Sequence, residues 1–459
     1  MFDLVLKNGE VFTGETFIKS DLAIEGEKIS AIGLDLKGKQ ELDVSHNWIL
    51  PGAIDAHTHF SLPFYNSVAS DDFYTGSRAG AAGGVTTFID FTAQENNEGI
   101  LSSLKRRLEE SKPSALDYSL HACIAKFNST VADEIKYLPE FGIRSFKIFT
   151  AYNKIGRMQN DENLYRIMEL CKLNDIMVTV HAENGLVIDY LTDVATKNND
   201  VGMTALRRTR PVFTETEAIS RVCNFAKFTD CKTHIVHISS GDGANALKIG
   251  KSSGAPVTGE TCPHYMYLDD SCFEKDNGHY WSCCPPIRPI GQQENLWTSL
   301  ENGTIAMVAT DHCPFRKQDK NTWEGSINKI PMGLPGIETM APLVLNGIHS
   351  KKLSIISAIK AISENPAKIF GLYPQKGSLI PGTDADIMVY NPREDVVISQ
   401  NNLMTNNDYS IYEGLQIRGR NEMTILRGKI IYSNKQGWIG TKGSGKFLKR
   451  NSPDEKFFK

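Results

Sequence analysis

Apolar and polar positions alternate in short runs at the start of the chain. Leu4-Val-Leu-Lys-Asn-Gly, Val11-Phe and Leu22-Ala-Ile-Glu-Gly-Glu-Lys-Ile-Ser-Ala-Ile read as strands. Turns are predicted at Asn8-Gly9 and Glu25-Gly26-Glu27, because Asn and Gly accept the positive φ that a tight hairpin needs. The same texture returns after residue 380, in Ala385-Asp-Ile-Met-Val-Tyr and Ile425-Leu-Arg-Gly-Lys-Ile-Ile-Tyr. Residues 1–50 and 376–439 are therefore expected to pair into one small β-sandwich domain. Residues 440–459 carry six Lys or Arg against two acids and read as a basic tail, mobile or in contact with another subunit.

Between those ends, strand-like runs alternate with helical stretches. The runs are Ile54 to His59, Val85 to Phe91, Tyr118 to Ile124, Ile143 to Phe149, Ile176 to His181, Thr233 to Ile238, Pro256 to Thr261 and Ile305 to Asp311. Alternation of this kind implies a parallel sheet, since each crossover needs a helix. Eight is the strand number of a (β/α)8 TIM-type barrel, and residues 51–375 are long enough for one with insertions. The pattern alone also permits an open sheet.

Composition narrows the function classes. With 459 residues, 41% hydrophobic and 23% charged, the chain is ordinary globular material, longer than one typical domain. A formal charge of −4 offers no positive field for nucleic acid or an anionic membrane. No apolar run reaches membrane-helix length, and Met1 to Phe12 lacks the apolar block of a signal peptide. A soluble cytoplasmic protein is expected, with no nucleic-acid or membrane partner. The nine cysteines are scattered without zinc-finger spacing and read as reduced, buried small hydrophobes.

Chemistry gathers at the run ends. Asp55-Ala-His57-Thr-His59 closes the first barrel strand, where period-2 alternation puts both imidazoles on one face, close enough to share a metal ion. Alone, such a pair is also what two polar residues at a strand end look like. Four further runs, however, bring a ligand or its precursor: Lys147, His181, His237 and Asp311. Barrel enzymes build their sites at those ends, and packing has no need of such convergence. Lys147 is the odd member, because an ammonium has no lone pair for a metal. It reads as an ion-pair partner, as a Schiff-base lysine, or as an amine carboxylated by carbon dioxide into a bridging carbamate.

A resemblance bears on that choice. Pro51-Gly-Ala-Ile-Asp-Ala-His-Thr-His, Ser145-Phe-Lys-Ile-Phe, Val180-His-Ala-Glu-Asn-Gly, His234-Ile-Val-His-Ile-Ser-Ser, Glu260-Thr-Cys-Pro and Thr310-Asp-His-Cys-Pro-Phe resemble the dihydropyrimidinase and D-hydantoinase family of cyclic amidohydrolases, bacterial hydantoinases most of all. Asn365-Pro-Ala-Lys, Gly377-Ser-Leu-Ile-Pro-Gly-Thr-Asp-Ala-Asp and Asn407-Asp-Tyr-Ser extend the likeness nearly end to end.

The resemblance implies two divalent metals, usually zinc, with His57 and His59 on one, His181 and His237 on the other, and carboxylated Lys147 between them. Asp311 would complete the first shell and face the attacking water. Nitrogen and oxygen ligands suit zinc, and an anionic bridge offsets the repulsion of two dications about 3.5–4 Å apart. A bridging hydroxide would open a dihydropyrimidine or 5-substituted hydantoin ring to an N-carbamoyl amino acid. Asp311 would carry its proton to the leaving nitrogen. Tyr152 resembles the family tyrosine that hydrogen-bonds the oxyanion; read without the family it is an amphipathic loop aromatic. A homotetramer is implied as well.

Two positions depart from the family pattern. The usual Cys-Ser-Pro-Pro before an arginine is here Cys283-Cys284-Pro285-Pro286-Ile-Arg288, and the usual Asn-Gly before Pro-Gly-hydrophobic-Glu is Met332-Gly333-Leu-Pro-Gly-Ile-Glu338. Cys284 and Met332 thus stand at substrate-binding positions. They read either as a shift toward less polar ring substituents or as drift in the pocket wall, with specificity then set around Leu62 to Tyr65 or at Tyr152. Dihydroorotase is a rival, but its substrate-binding arginine is Ser61 here; allantoinase is another, although Phe60-Ser-Leu-Pro-Phe lacks its acidic stretch. A non-catalytic scaffold of the same fold is the alternative of another class. His312, Cys313 and His264 are expected to be structural, and Gly80-Ala-Ala-Gly-Gly precedes a strand and is no phosphate loop.

Overall fold

Hydrogen-bond pairing sorts most of the strands into two large sheets. The computed structural model describes residues 1–64, 67–95 and 98–459; Tyr65, at the edge of one expected specificity loop, lies outside the described residues. The chain opens with β1 (Phe2–Phe12), β2 (Phe17–Glu25), β3 (Lys28–Gly33), β4 (Gly38–Asp43) and β5 (Trp48–Pro51). It continues with β6 (Ala53–Thr58), a short hairpin of β7 (Pro63–Phe64) and β8 (Ser67–Val68), then β9 (Val85–Phe91), β10 (Asp117–Cys123), β11 (Ser145–Phe149) and β12 (Met177–His181). β13 (Thr233–Ile235), β14 (Val257–Thr261) and β15 (Met307–Val308) follow, before the closing group β16 (Ile387–Val397), β17 (Gln416–Leu426), β18 (Lys429–Ser433) and β19 (Gly437–Trp438).

Strands β6 and β9–β15 form the eight-stranded parallel sheet, and its ends meet. Thr58 bridges His312 in parallel, His59 N–H donates to His312 O at 2.8 Å, and His312 N–H donates to His57 O at 3.3 Å. That closure makes a (β/α)8 barrel rather than an open sheet. Every residue of β9, β10, β12 and β14 is buried, as parallel strands covered on both faces must be. Helices bury the outer face. One, Gly185–Lys197, starts where Asn184 Oδ1 accepts the Val187 N–H at 3.1 Å, satisfying one of the free amides of its first turn.

The second sheet joins both ends of the chain. β16 pairs antiparallel with β5, setting Ile387 opposite Pro51 and Val389 opposite Ile49. Leu6, Leu22, Ile49, Ile387 and Ile425 meet in one fully buried core. Burying such a side chain contributes about 1.5–3 kcal/mol, so neither end is stable as a layer without the other.

Two expectations need correction. Asn8-Gly9 is not a hairpin turn: β1 runs through it with a register shift between Leu6 and Gly9, Asn8 taking φ 63°. A Cβ on Gly9 would lie 2.5 Å from Ile49 Cδ1, so the glycine serves close packing inside a bulge. The hairpin turn falls at Thr13–Thr16 instead. Nor do residues 440–459 hang free. Tyr118 and Phe447 pair as an isolated bridge, Leu448 and Phe458 join the cluster that holds Ile54, Ile89 and Met307 inside the barrel, and Arg450 is buried. No helix among the described residues is long and apolar enough to cross a membrane.

Candidate metal centre

The barrel brings the six expected ligands to one end, and all of them line a single cavity of about 720 Å³. His57 lies on β6 and His59 just beyond it, Lys147 on β11 and His181 at the end of β12. His237 and Asp311 fall past strands shorter than the apolar runs suggested, since β13 stops at Ile235 and β15 at Val308. Alternation therefore does not orient them. Their backbones turn into the left-handed region, with φ 40° at His237 and 52° at Asp311, a conformation costly for residues with a Cβ and concentrated at functional sites.

Donor atoms of His57, His237 and Asp311 lie within 4.8 Å of one another. Asp311 Oδ1 is 3.1 Å from His57 Nε2 and 3.0 Å from His59 Nε2, and His181 Nδ1 is 3.0 Å from His237 Nε2. Lys147 Nζ projects over Phe91 and Phe149, 5.2 and 5.4 Å from the ring centres. His57 Nε2 and His59 Nδ1 are buried without a hydrogen-bond partner. Of the two, His57 Nε2 faces the Asp311 carboxylate, and an orphaned imidazole nitrogen so placed fits a divalent cation.

Two carboxylates that sequence reasoning assigned no role fix the imidazoles. Glu260 Oε1 accepts from His57 Nδ1 at 2.5 Å, and its Oε2 lies 3.1 Å from His234 Nε2. Glu183 Oε2 lies 2.8 Å from His181 Nε2 and pairs with Arg210. Each carboxylate holds one ring nitrogen and leaves the other aimed at the cavity, the outer-sphere arrangement that orients metal-binding histidines. A signal existed: Glu183 is only two residues beyond His181, near enough in sequence to reach its ring. Burial opposes ionisation of both acids, yet the Arg210 charge and His181 hold Glu183 at about 2, and His57 and His234 do the same for Glu260. Burial also works against Asp311, but His57 and His59 keep it well below the usual carboxylate range. Burial draws the Lys147 ammonium down to about 8, Asp311 pulling the other way.

The three expected substrate contacts line the same cavity. Tyr152 takes φ 66°, with its ring centre 4.9 Å from that of His181 and the Arg210 guanidinium 5.4 Å from its own. Burial raises its hydroxyl well above the ordinary tyrosine value, so the proton stays on. Its hydroxyl meets the Cys284 thiol. Behind Cys284 and Met332, fully buried Lys320 ties their two loops together: its ammonium reaches Ser282 O at 3.0 Å, Ser282 Oγ at 2.7 Å, Pro331 O at 2.8 Å and Gly333 O at 2.8 Å. His312 is structural, facing Asp71 at 3.2 Å and accepting the Gly336 amide at 3.0 Å.

Comparison with known proteins agrees with this geometry. The model of the Amidohydrolase family matches residues 48–431. A D-hydantoinase of Geobacillus stearothermophilus is 34% identical over 97% of this chain and 96% of its own. A D-phenylhydantoinase of Escherichia coli is 34% identical over 97% of this chain and 98% of its own. The crystal structure of a dihydropyrimidinase from Brevibacillus agri superposes with a TM-score of 0.95 at 34% identity, covering 98% of this chain and 99% of the other. A barrel with a nitrogen and oxygen ligand set at one end, matched along its whole length in this way, places the chain in the amidohydrolase family, on its hydantoinase and dihydropyrimidinase branch.

Proposed function

We propose that this protein opens the ring of a 5,6-dihydropyrimidine or a 5-substituted hydantoin to the N-carbamoyl amino acid, using two divalent ions, zinc in the cell. The observation that carries it is the convergence of His57, His59, Lys147, His181, His237 and Asp311 on one cavity, with the unsatisfied His57 Nε2 facing Asp311. A scaffold has no need of that set. His57, His59 and Asp311 would hold one ion, His181 and His237 the other, and Lys147 would join them as its carbamate. Burial favours that modification, because it populates the neutral amine that carbon dioxide must meet. When bound, the ions supply Lewis acidity and a water acidified to near neutrality.

The chain's own groups supply the rest. Asp311, kept ionised, can take a proton at Oδ1 and return it to the leaving ring nitrogen. Tyr152, kept protonated, donates to the oxygen that gains charge when the ring carbonyl is attacked. Cys284 and Met332 border the ring, where their low polarity favours apolar 5-substituents. Dihydroorotate and allantoin remain the rival rings. A cytoplasmic homotetramer is part of the same reading: Leu186, Tyr190 and Val194, one helical turn apart on Gly185–Lys197, are 61%, 67% and 39% exposed, an apolar stripe suited to another copy.

Elemental analysis of protein purified without chelator should find two divalent ions per chain. Turnover against dihydrouracil, hydantoin, 5-substituted hydantoins, allantoin and dihydroorotate should select a hydantoin or the dihydropyrimidine. Metal-free protein with full activity, or no turnover of any of these rings, overturns the proposal. Light scattering that finds only monomer at micromolar concentration overturns the assembly.

A further inference from the structure

Arg157 is the one cation lining the cavity, apart from Lys147, that has no carboxylate within ion-pair distance among the described residues. Lys154 pairs with Asp193 and Arg210 with Glu183. Arg157 lines both the main cavity and a second one of about 460 Å³ that shares Leu62, Pro63 and Ala93 with it. In that second space Arg106 is already taken, by Glu98 at 2.9 Å, Glu110 at 3.0 Å and Glu95, which lines the same space, at 3.6 Å.

The guanidinium stands near the reacting end. Its carbon stands 5.9 Å from the centre of the Phe149 ring, and Lys147 Nζ stands 5.4 Å from the same centre. The backbone is fixed on both sides: Arg157 N–H donates to Tyr152 O at 3.1 Å, and Gln159 N–H to Phe149 O at 2.8 Å. The Phe149 ring stands beside both Lys147 and the guanidinium. Asp189, which accepts from Asn153 at 3.2 Å, disfavours an anion beside the helix Gly185–Lys197.

We propose that Arg157 selects ring substrates whose exocyclic arm crosses the Phe149 wall and ends in a carboxylate. The inference rests on the ring-opening reading above and names the substrate class within it. A guanidinium offers a carboxylate two parallel hydrogen bonds, an advantage no neutral terminus shares.

The test compares 5-(2-carboxyethyl)hydantoin with 5-(2-carbamoylethyl)hydantoin, the uncharged amide of the same shape, and with 5-phenylhydantoin, all on the holoenzyme. The acid should exceed the amide in kcat/KM by about 10-fold or more, the scale of one desolvated charge contact. Arg157→Gln should bring that ratio to about one, Arg157→Lys should keep part of it, and added salt should lower it in the wild type. A wild-type ratio of one or less overturns the inference even if no variant folds, as does a ratio that Arg157→Gln leaves intact. Opening of the phenyl compound with no preference for the acid defeats this inference alone, whereas failure to open any of the three defeats the ring-opening reading and this one with it.

Discussion

Replacing Glu260 by Gln removes a charge and keeps a shape. In the wild type the His57 Nδ1–H donates to Glu260 Oε1 at 2.5 Å, the His237 amide reaches the same oxygen at 3.3 Å, and Oε2 faces His234 Nε2 at 3.1 Å. A glutamine can set its carbonyl toward His57 and His237 and its amide toward His234, which needs only the other His234 tautomer, so the barrel should still fold. What changes is the strength of the contact that fixes His57. A hydrogen bond to a charged partner contributes about 1.5–3 kcal/mol and a neutral one about 0.5–1.5 kcal/mol. The difference between their midpoints, about 1.25 kcal/mol, weakens whatever His57 Nε2 binds by a factor of about 8, near the low end of the 10–100-fold expected for an outer-sphere partner. Competition for zinc against a chromophoric chelator, wild type beside Glu260→Gln, measures this directly, and melting of the chelator-treated proteins shows whether the fold is equally intact. Unchanged zinc affinity in a folded variant would refute the orienting role.

Lys147→Ala should abolish turnover and the second metal, with partial rescue of activity by short carboxylic acids that replace the carbamate; a variant with wild-type turnover shows Lys147 to be merely structural. Lys320→Met frees three carbonyls that define the Cys284 and Met332 loops and should raise KM about 10-fold with a smaller change in kcat, read by steady-state kinetics. Met332→Asn with Cys284→Ser should shift the kcat/KM ratio toward dihydrouracil and away from phenylhydantoin by about 10-fold, and an unchanged ratio makes both departures drift. Burial pushes Glu338 up to about 8 from 4.5, against the Met404 and Thr405 amides that favour its anion. The native state then binds more protons than the unfolded one between those values, so stability should fall as pH rises through them, and denaturant unfolding of Glu338→Gln should lose that slope.

The barrel was legible because its strands are buried on both faces, which leaves continuous apolar runs, and because five of them end in residues with metal chemistry. The run lengths misled: Val236 and Ile305 are apolar and buried, yet neither lies in a strand, since burial in a loop and burial in a ladder look alike in sequence. Turn residues misled where Asn8 and Gly9 answer to the bulge rather than a reversal. Glu260 escaped assignment because its partners His57 and His234 lie on other strands, Glu183 because the Arg210 it also holds is distant in sequence, and the tail's basic composition concealed Leu448 and Phe458, two of the side chains that dock it.

That docked tail has a consequence for how the protein is made. Arg450 N–H donates to Gly142 O at 2.9 Å, while its guanidinium donates to Leu120 O at 2.6 Å and Ser145 Oγ at 2.7 Å; Ser145 in turn faces His121, whose Nε2 reaches Ala56 O at 3.0 Å, next to His57. The ribosome delivers the N-terminal segments first. All eight barrel strands thus emerge before the residues that finish their floor, and β1, β2 and β5 wait still exposed for β16. During that interval the nascent chain carries an unfinished barrel and an open sheet edge, surfaces that attract chaperones and aggregation, and the step that ends the exposure waits for residues 447–458, which are translated after every barrel strand.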